Sequence, residues 1–273
     1  MKINCGLIVS DFDGTLIDDN QRILPEVKDA IDEYVAAGGI FAVCTGRMLS
    51  SILPQVRALG LKGLVIAYQG TVIADIESGK IIKTGGLEYK DAVEVCKYIE
   101  KLGFGINVYC DEKIYTGYSL DNVYLQRYEK IIGVKATHID GPVSEYVEKN
   151  KIKCQKVLSI VSEDERGYLY SNLNNCLGDR FDVTCSATVL VEISPLGDNK
   201  GEALKFLAKH YNVPIEKTVA VGDNLNDLPM IQVAGVGCAV GNAVKPLKDA
   251  ANFISVSNNE GALAQIIKKF GFA

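Results

Sequence analysis

Four short runs of apolar residues restrict this chain more than anything else in it. They are Leu7-Ile8-Val9-Ser10, Ile40-Phe41-Ala42-Val43-Cys44, Leu64-Val65-Ile66-Ala67 and Thr218-Val219-Ala220-Val221. An antiparallel strand with one wet face alternates apolar and polar residues. A run without alternation is what a strand needs when helices cover the sheet on both sides. The segments between the runs carry the helical period. Pro25 suits a first helical turn, apolar residues follow at Val27, Ala30, Ile31, Tyr34 and Val35, and Gly38-Gly39 ends the stretch. A second helical stretch follows Arg47. Strand, helix, strand, helix, strand is the alternation of a parallel sheet with crossover helices, and it predicts an α/β core.

From about Gly85 to Glu192 the texture changes. A helix around Glu88–Leu102 leads into Phe104–Cys110, Lys113–Thr116, Lys153–Val161, Phe181–Ser186 and Thr188–Ile193, several of which alternate apolar and polar residues like half-exposed antiparallel strands. Helical stretches lie between them near Asp121–Ile132 and Glu163–Cys176. The first pattern then resumes with a helix from Gly201 to His210, the buried run at Thr218, a short helix Leu228–Ala234, weaker strands at Gly237–Val240 and Phe253–Val256, and a terminal helix Glu260–Phe270. The expected organisation is a core of residues 1–84 and 192–273 with an α+β unit, residues 85–191, inserted into it. Ten of the 13 tyrosines fall between Tyr89 and Tyr170, so the insertion can present aromatic surface to a ligand, although ordinary packing and strand propensity are the better account of them.

In parallel sheets ligands collect beyond the carboxyl ends of the strands, and four polar clusters fall there or at a helix start: Asp11/Asp13, Thr45-Gly46, Lys200, and Asp223/Asn226/Asp227. In extended backbone Asp11 and Asp13 point the same way while Phe12 turns inward. Two anions facing one space repel unless a cation sits between them or one holds a proton. Gly14 lets the chain turn sharply, and Thr15 offers a hydroxyl to fix a carboxylate. Any one cluster taken alone reads as a strand end, a helix cap or a solvated lysine. Together they supply oxygen ligands for a hard cation, a fixed positive charge, a hydroxyl and main-chain amides, which is the equipment of a phosphate site built around magnesium. An EF-hand fails on spacing, because Gly14 stands at loop position four and Arg22 where the bidentate Glu belongs. No Walker loop is present, and Gly235-Val236-Gly237-Cys238-Ala239-Val240 lacks the last glycine of a dinucleotide fingerprint.

In order and spacing, Asp11-Phe12-Asp13-Gly14-Thr15, Thr45-Gly46-Arg47, Lys200 and Gly222-Asp223-Asn224-Leu225-Asn226-Asp227 resemble the four motifs of the haloacid dehalogenase-like phosphohydrolases. The resemblance covers the whole chain. The insertion between the second and third motifs is similar to the cap of the Cof-type, class IIB members. The resemblance implies a Rossmann-like core with a cap domain that chooses the substrate, and Mg²⁺ as cofactor. It implies Asp11 as nucleophile, forming an aspartyl-phosphate, and Asp13 as the acid for the leaving oxygen and then the base for water. It assigns magnesium to Asp11, the main-chain carbonyl of Asp13 and Asp223, with Asp227 supporting them. It assigns phosphate oxygens to the main chain at Phe12, the Thr45 hydroxyl, the Gly46 amide, Lys200 and Asn226. One position departs from the pattern: Tyr68-Gln69-Gly70 stands where such proteins often carry Asn-Gly, which shifts a polar contact and bears on substrate preference more than on catalysis.

The expected function is therefore hydrolysis of small phosphorylated metabolites, sugar phosphates first, with pyridoxal phosphate or flavin mononucleotide as other candidates. Tyr109, Tyr115, Tyr118, Tyr124 and Tyr128 are the cap residues expected to meet substrate. A phosphomannomutase-like mutase and a non-catalytic phosphate-binding regulatory module are the rival readings; the intact Asp11/Asp13 pair argues against the second. A net charge of -5 without long runs of one sign argues against nucleic-acid and membrane partners. Eight cysteines without a C-x-x-C pair, and no apolar stretch near the ~18–20 residues needed to span a bilayer, lead us to expect a cytoplasmic protein. His138 and His210 stand alone, which leaves a histidine-based zinc or copper site little support. No pattern in the chain sets an oligomeric state.

Overall fold

The computed structural model describes residues 2–273. The chain runs through β1 (Leu7–Ser10), β2 (Ile40–Cys44), β3 (Leu64–Ala67), β4 (Val72–Asp75) and β5 (Ile81–Thr84). It continues through β6 (Asn107–Cys110), β7 (Lys113–Thr116), β8 (Ala136–His138), β9 (Lys156–Ile160), β10 (Phe181–Ala187) and β11 (Leu190–Pro195). It ends with β12 (Thr218–Gly222), β13 (Val236–Ala239) and β14 (Phe253–Ile254). Contacts divide it into two compact units. The first comprises residues up to Gly46, Leu53–Ile82 and Asn199–Ala273; the second comprises Arg47–Ile52 and Lys83–Asp198.

The sheet of the first unit has the order β14-β13-β12-β1-β2-β3-β4-β5, and it is parallel from β14 to β3. β1 sits in the middle, with Leu7 paired to Ile40 on one side and to Thr218 on the other. Leu7, Ile8 and Val9 are wholly buried, as double coverage of an apolar run demands. Strand order reverses direction between β1 and β12, so the loops after these two strands diverge and leave a crevice, the usual ligand position of an open α/β sheet.

β4 is an addition to the sequence reading. The chain leaves β3 through Tyr68-Gln69-Gly70 and returns antiparallel, pairing Ala67 with Val72. All three turn residues have positive φ, +51°, +61° and +122°. The turn therefore lacks the Asn-Gly or Asp-Gly signal that announces a hairpin. β5, with Ile81 and Ile82 exposed, carries no burial pattern to read.

The second unit is a six-stranded sheet of order β10-β11-β9-β6-β7-β8, antiparallel except between β7 and β8. On one face Val108, Val157, Val191 and Ile193 join a core with Val95, Cys96, Ile99, Val147, Leu169 and Leu173 from the helices Tyr89–Lys101, Val143–Asn150 and Glu163–Leu177. The last of these helices starts at a reciprocal cap between Ser162 and Glu165. The helix Val143–Asn150 is too short, and the three-residue β8 too short and too exposed, to have shown a period. The opposite face carries Asn107, Lys156 and Glu192 among Tyr109, Leu158 and Ile160, and all six are buried.

Candidate active site

The sheet's own hydrogen bonds extend past the strand ends and fix the first site residues. The Asp11 amide donates to the Val221 carbonyl at 2.9 Å, the Thr45 amide to Ile66 at 2.9 Å, and the Gln69 amide to the Thr45 carbonyl at 3.0 Å. After Asp11 the chain makes a tight turn through Phe12–Leu16, in which Gly14 has φ +73°. A Cβ there would stand 2.8 Å from Asp223 Oδ2, so glycine serves both the left-handed backbone and the close approach of a carboxylate. Thr15 Oγ1 reaches Asp223 Oδ1 at 3.4 Å.

Lys200 opens the helix Lys200–His210, whose first amides are capped by the Asn199 side chain. Its ammonium is completely buried. It donates to Asp11 Oδ1 at 2.5 Å and to Asp227 Oδ1 at 2.6 Å. The other oxygen of Asp227 accepts the amides of Asp223 (2.9 Å) and Asn224 (3.0 Å), so Asp227 ties the loop after β12 to the lysine. One carboxylate oxygen from each of Asp11, Asp223 and Asp227 lies within 4.8 Å of the others. Asp13 is half-buried and its charge acts on both Asp11 and Asp223.

The electrostatics follow from this crowding. Burial raises the Asp11 carboxyl well above the usual range, Lys200 opposes this, and the charges of Asp227, Asp223 and Asp13 add to the rise. Asp223 is pushed up to about 7, first by burial and then by Asp227. Burial acts to lower the Lys200 ammonium, but Asp11 and Asp227 more than compensate and hold it well above the ordinary lysine value. Three clustered carboxyl groups, Asp11, Asp223 and Asp227, surround one buried ammonium, and all the donors are oxygens. That set fits a hard divalent cation, which would relieve the excess negative charge.

A second group of residues lines the approach from β2 and β3. Asn226 Nδ2 donates to Gln69 Oε1 at 3.0 Å, while Asn226 Oδ1 is buried without a partner. Gln69 Nε2 lies 2.4 Å from where a Cβ on Gly46 would be. The glutamine that departs from the family pattern thus links the second and fourth motifs. Sequence reasoning marked Gln69 only as an exception; its place directly after an apolar strand was the available signal. It missed Asn242 entirely. Asn242 Nδ2 donates to the Gly14 carbonyl at 2.8 Å, and its Oδ1 accepts the Asn258 amide at 3.0 Å, which braces the turn after Asp11 from the loop after β13.

The five tyrosines expected to meet substrate are varied. Tyr109 and Tyr128 share a hydroxyl–hydroxyl bond of 2.7 Å, and Tyr118 is bonded to the main chain at Gly105 and Ile160. Tyr115 packs on Tyr146, with ring centroids 5.2 Å apart, and Tyr124 is exposed. The tyrosine-rich composition of the second unit is thus spent in large part on its own packing.

A parallel sheet with buried carboxylates and a lysine at its switch point defines an enzyme that handles a small anion. The chain belongs to the haloacid dehalogenase-like hydrolases, whose sequence model matches residues 8–267. Within that family it is a Cof-type phosphatase. It is 30% identical to the phosphatase YwpJ of Bacillus subtilis (strain 168) over 285 residues, covering 96% of this chain and 98% of that protein. It is 26% identical to the 5-amino-6-(5-phospho-D-ribitylamino)uracil phosphatase YcsE of the same organism over 269 residues, covering 97% and 96%. In fold it is similar to the class IIB sugar phosphatase BT4131, with a TM-score of 0.83 at 19% identity over 98% of this chain and 99% of that one. Among the described residues no helix is long and apolar enough to cross a membrane.

Proposed function

We propose that the protein hydrolyses small phosphorylated metabolites, sugar and sugar-alcohol phosphates foremost, with Mg²⁺ and through an aspartyl-phosphate on Asp11. The observation that carries this reading is the buried Lys200 bridge between Asp11 and Asp227, with Asp223 beside it. Asp11, the main-chain carbonyl of Asp13 and Asp223 would hold Mg²⁺, which would neutralise charge on the transferring phosphoryl group. The Asp11 carboxylate attacks phosphorus, the ester P–O bond breaks, and Asp13 gives its proton to the leaving oxygen. Asp13 then takes a proton from water as the water oxygen bonds to phosphorus. The bond to Asp11 breaks and inorganic phosphate leaves.

Lys200 keeps Asp11 oriented and offers positive charge to the phosphate. The Phe12 and Gly46 amides, the Thr45 hydroxyl and Asn226 complete the cradle, and Asp227 holds Lys200 in place. The second unit, residues 85–191 by the sequence reading, selects the leaving group. The name of YcsE, which describes a phosphorylated ribityl compound as its substrate, supports the substrate class. The test is phosphate release across a panel of phosphorylated metabolites with and without Mg²⁺. Release from sugar or polyol phosphates that stops on chelation and in Asp11→Asn supports the reading. Full activity in Asp11→Asn removes the nucleophile assignment, and transfer between sugar positions without free phosphate makes the enzyme a mutase.

A further inference from the structure

The side chain of Asn226 is held in place by a single contact. Among the described residues its amide makes one hydrogen bond, which Nδ2 donates to Gln69 Oε1 at 3.0 Å, while its Oδ1 is buried without a partner. The donor end and the acceptor end of an amide have nearly the same shape, so its orientation is set by what it bonds. Here the acceptor Oε1 draws the nitrogen of Asn226 to itself. Turned over, the Asn226 amide would set Oδ1 against Oε1, two acceptors with no hydrogen between them.

Gln69 is in turn aimed from a fixed base. It is buried, and its main-chain amide donates to the Thr45 carbonyl at 3.0 Å. Its Nε2 is the end that lies against Gly46, 2.4 Å from where a Cβ there would stand. Thr45, Gly46, Gln69 and Asn226 all belong to the first unit. The backbone at Gln69 is left-handed, with φ +61°. Asparagine is several-fold enriched in that region and glutamine is not. A glutamine in this place therefore carries a conformational cost that asparagine would lessen, and what it adds is one methylene of reach. That reach ends on Asn226.

We propose that Gln69 is a positioning residue, which turns the Asn226 amide so that its nitrogen rather than its oxygen serves a bound phosphate. The inference rests on the phosphatase reading, which gives Asn226 a phosphate oxygen, and adds to it a residue that acts through Asn226 rather than on the substrate. Nδ2 carries two hydrogens. Gln69 accepts one, and the other is left for the anion. Without an acceptor at residue 69, Asn226 is free to present Oδ1 instead, and a carbonyl oxygen repels a phosphate dianion. A phosphate oxygen is met in substrate, transition state and product alike, so the loss falls on binding more than on turnover.

The test measures binding of inorganic phosphate by calorimetry with Mg²⁺ present, and p-nitrophenyl phosphate kinetics beside it, on the full-length protein. The variants are Gln69→Asn, Gln69→Met, Asn226→Ala and the double variant Gln69→Asn with Asn226→Ala, each shown to be folded by its melting temperature. Gln69→Asn suits the backbone but is too short, and Gln69→Met keeps the length without the acceptor. Both are expected to weaken phosphate binding about tenfold. KM is expected to rise in the same proportion while kcat falls less than about threefold. In the Asn226→Ala background, itself weakened, Gln69→Asn is expected to change the affinity less than about twofold. A glutamine that only fills space would let Gln69→Met bind phosphate as the wild type does, or would let the two substitutions weaken binding additively; either result overturns the proposal. So does wild-type affinity in Asn226→Ala, since Gln69 would then have nothing to position. If Gln69→Met fails to fold, Gln69→Asn and the double variant decide. A wild type that releases phosphate, with Gln69 variants that match its affinity, ends the inference and leaves the phosphatase reading standing. A wild type that neither binds nor releases phosphate ends the phosphatase reading, and the inference with it.

Discussion

Lys200 carries a burden that its position in a sequence only half reveals. As the first residue of a helix it would ordinarily extend into solvent, yet here it is wholly enclosed between Asp11 and Asp227. Deleting one member of a buried ionic set leaves the others uncompensated, at about 3–5 kcal/mol. Lys200→Met is therefore expected to destabilise the metal-free protein by about that amount in urea unfolding and to lower turnover severely. Adding Asp227→Asn should recover part of the lost stability and none of the activity. The grouping of Asp11, Lys200 and Asp223 was legible in sequence because their residue types, order and places after strands or at a helix start already pointed to one sheet edge. The place of Gln69 after an apolar strand marked it but not its contacts, and nothing marked Asn242, because their amides act through geometry: one reaches across to Asn226 and the other holds the Gly14 carbonyl.

At the scale of elements, the parallel strands were legible because burial on both faces writes a continuous apolar run. The β3–β4 hairpin was not, since its turn is formed by Tyr68 and Gln69 in a left-handed backbone that neither residue type favours. Packing sustains that strain: Tyr68, Gln69 and Gly70 are all buried, and a Cβ on Gly70 would lie 2.5 Å from the Asn199 carbonyl oxygen. With φ at +122°, Gly70 has no tolerable replacement. Gly70→Ala is expected to cost about 2–3 kcal/mol, read as a lower denaturant midpoint. Because Asn199 caps the helix that begins at Lys200, activity should fall further than the loss of folded protein explains. In the second unit, sequence placed five of the six strands and left out β8 and the helix Val143–Asn150. Alternation shows which residues share a face; it does not show that the polar face is also buried.

For the whole molecule, the charge at the site makes folding depend on pH. Asp223 is raised in the folded state to about 7, above its ordinary value of 3.8. Between those values the folded protein holds a proton that the unfolded chain has released. Its contribution to stability is complete below the unfolded value and is lost as pH rises through about 7. Asp11 shifts in the same direction. A divalent cation held by the ionised carboxylates would reverse the loss. The increase in melting temperature on adding Mg²⁺ to chelator-treated protein is therefore expected to be small near pH 5 and to grow towards pH 8. An increase independent of pH would separate the cation from these carboxylates.

The central position of β1 has a consequence for how the enzyme fails. Asp11 is anchored by its amide to the Val221 carbonyl, in the middle of a sheet with neighbours on both sides. Local opening in proteins starts at edges and loops and reaches central strands last. Asp11 therefore has no partial melting of its own. Fraying at β5 or β14 leaves its anchor intact, and the anchor gives way only when the sheet does.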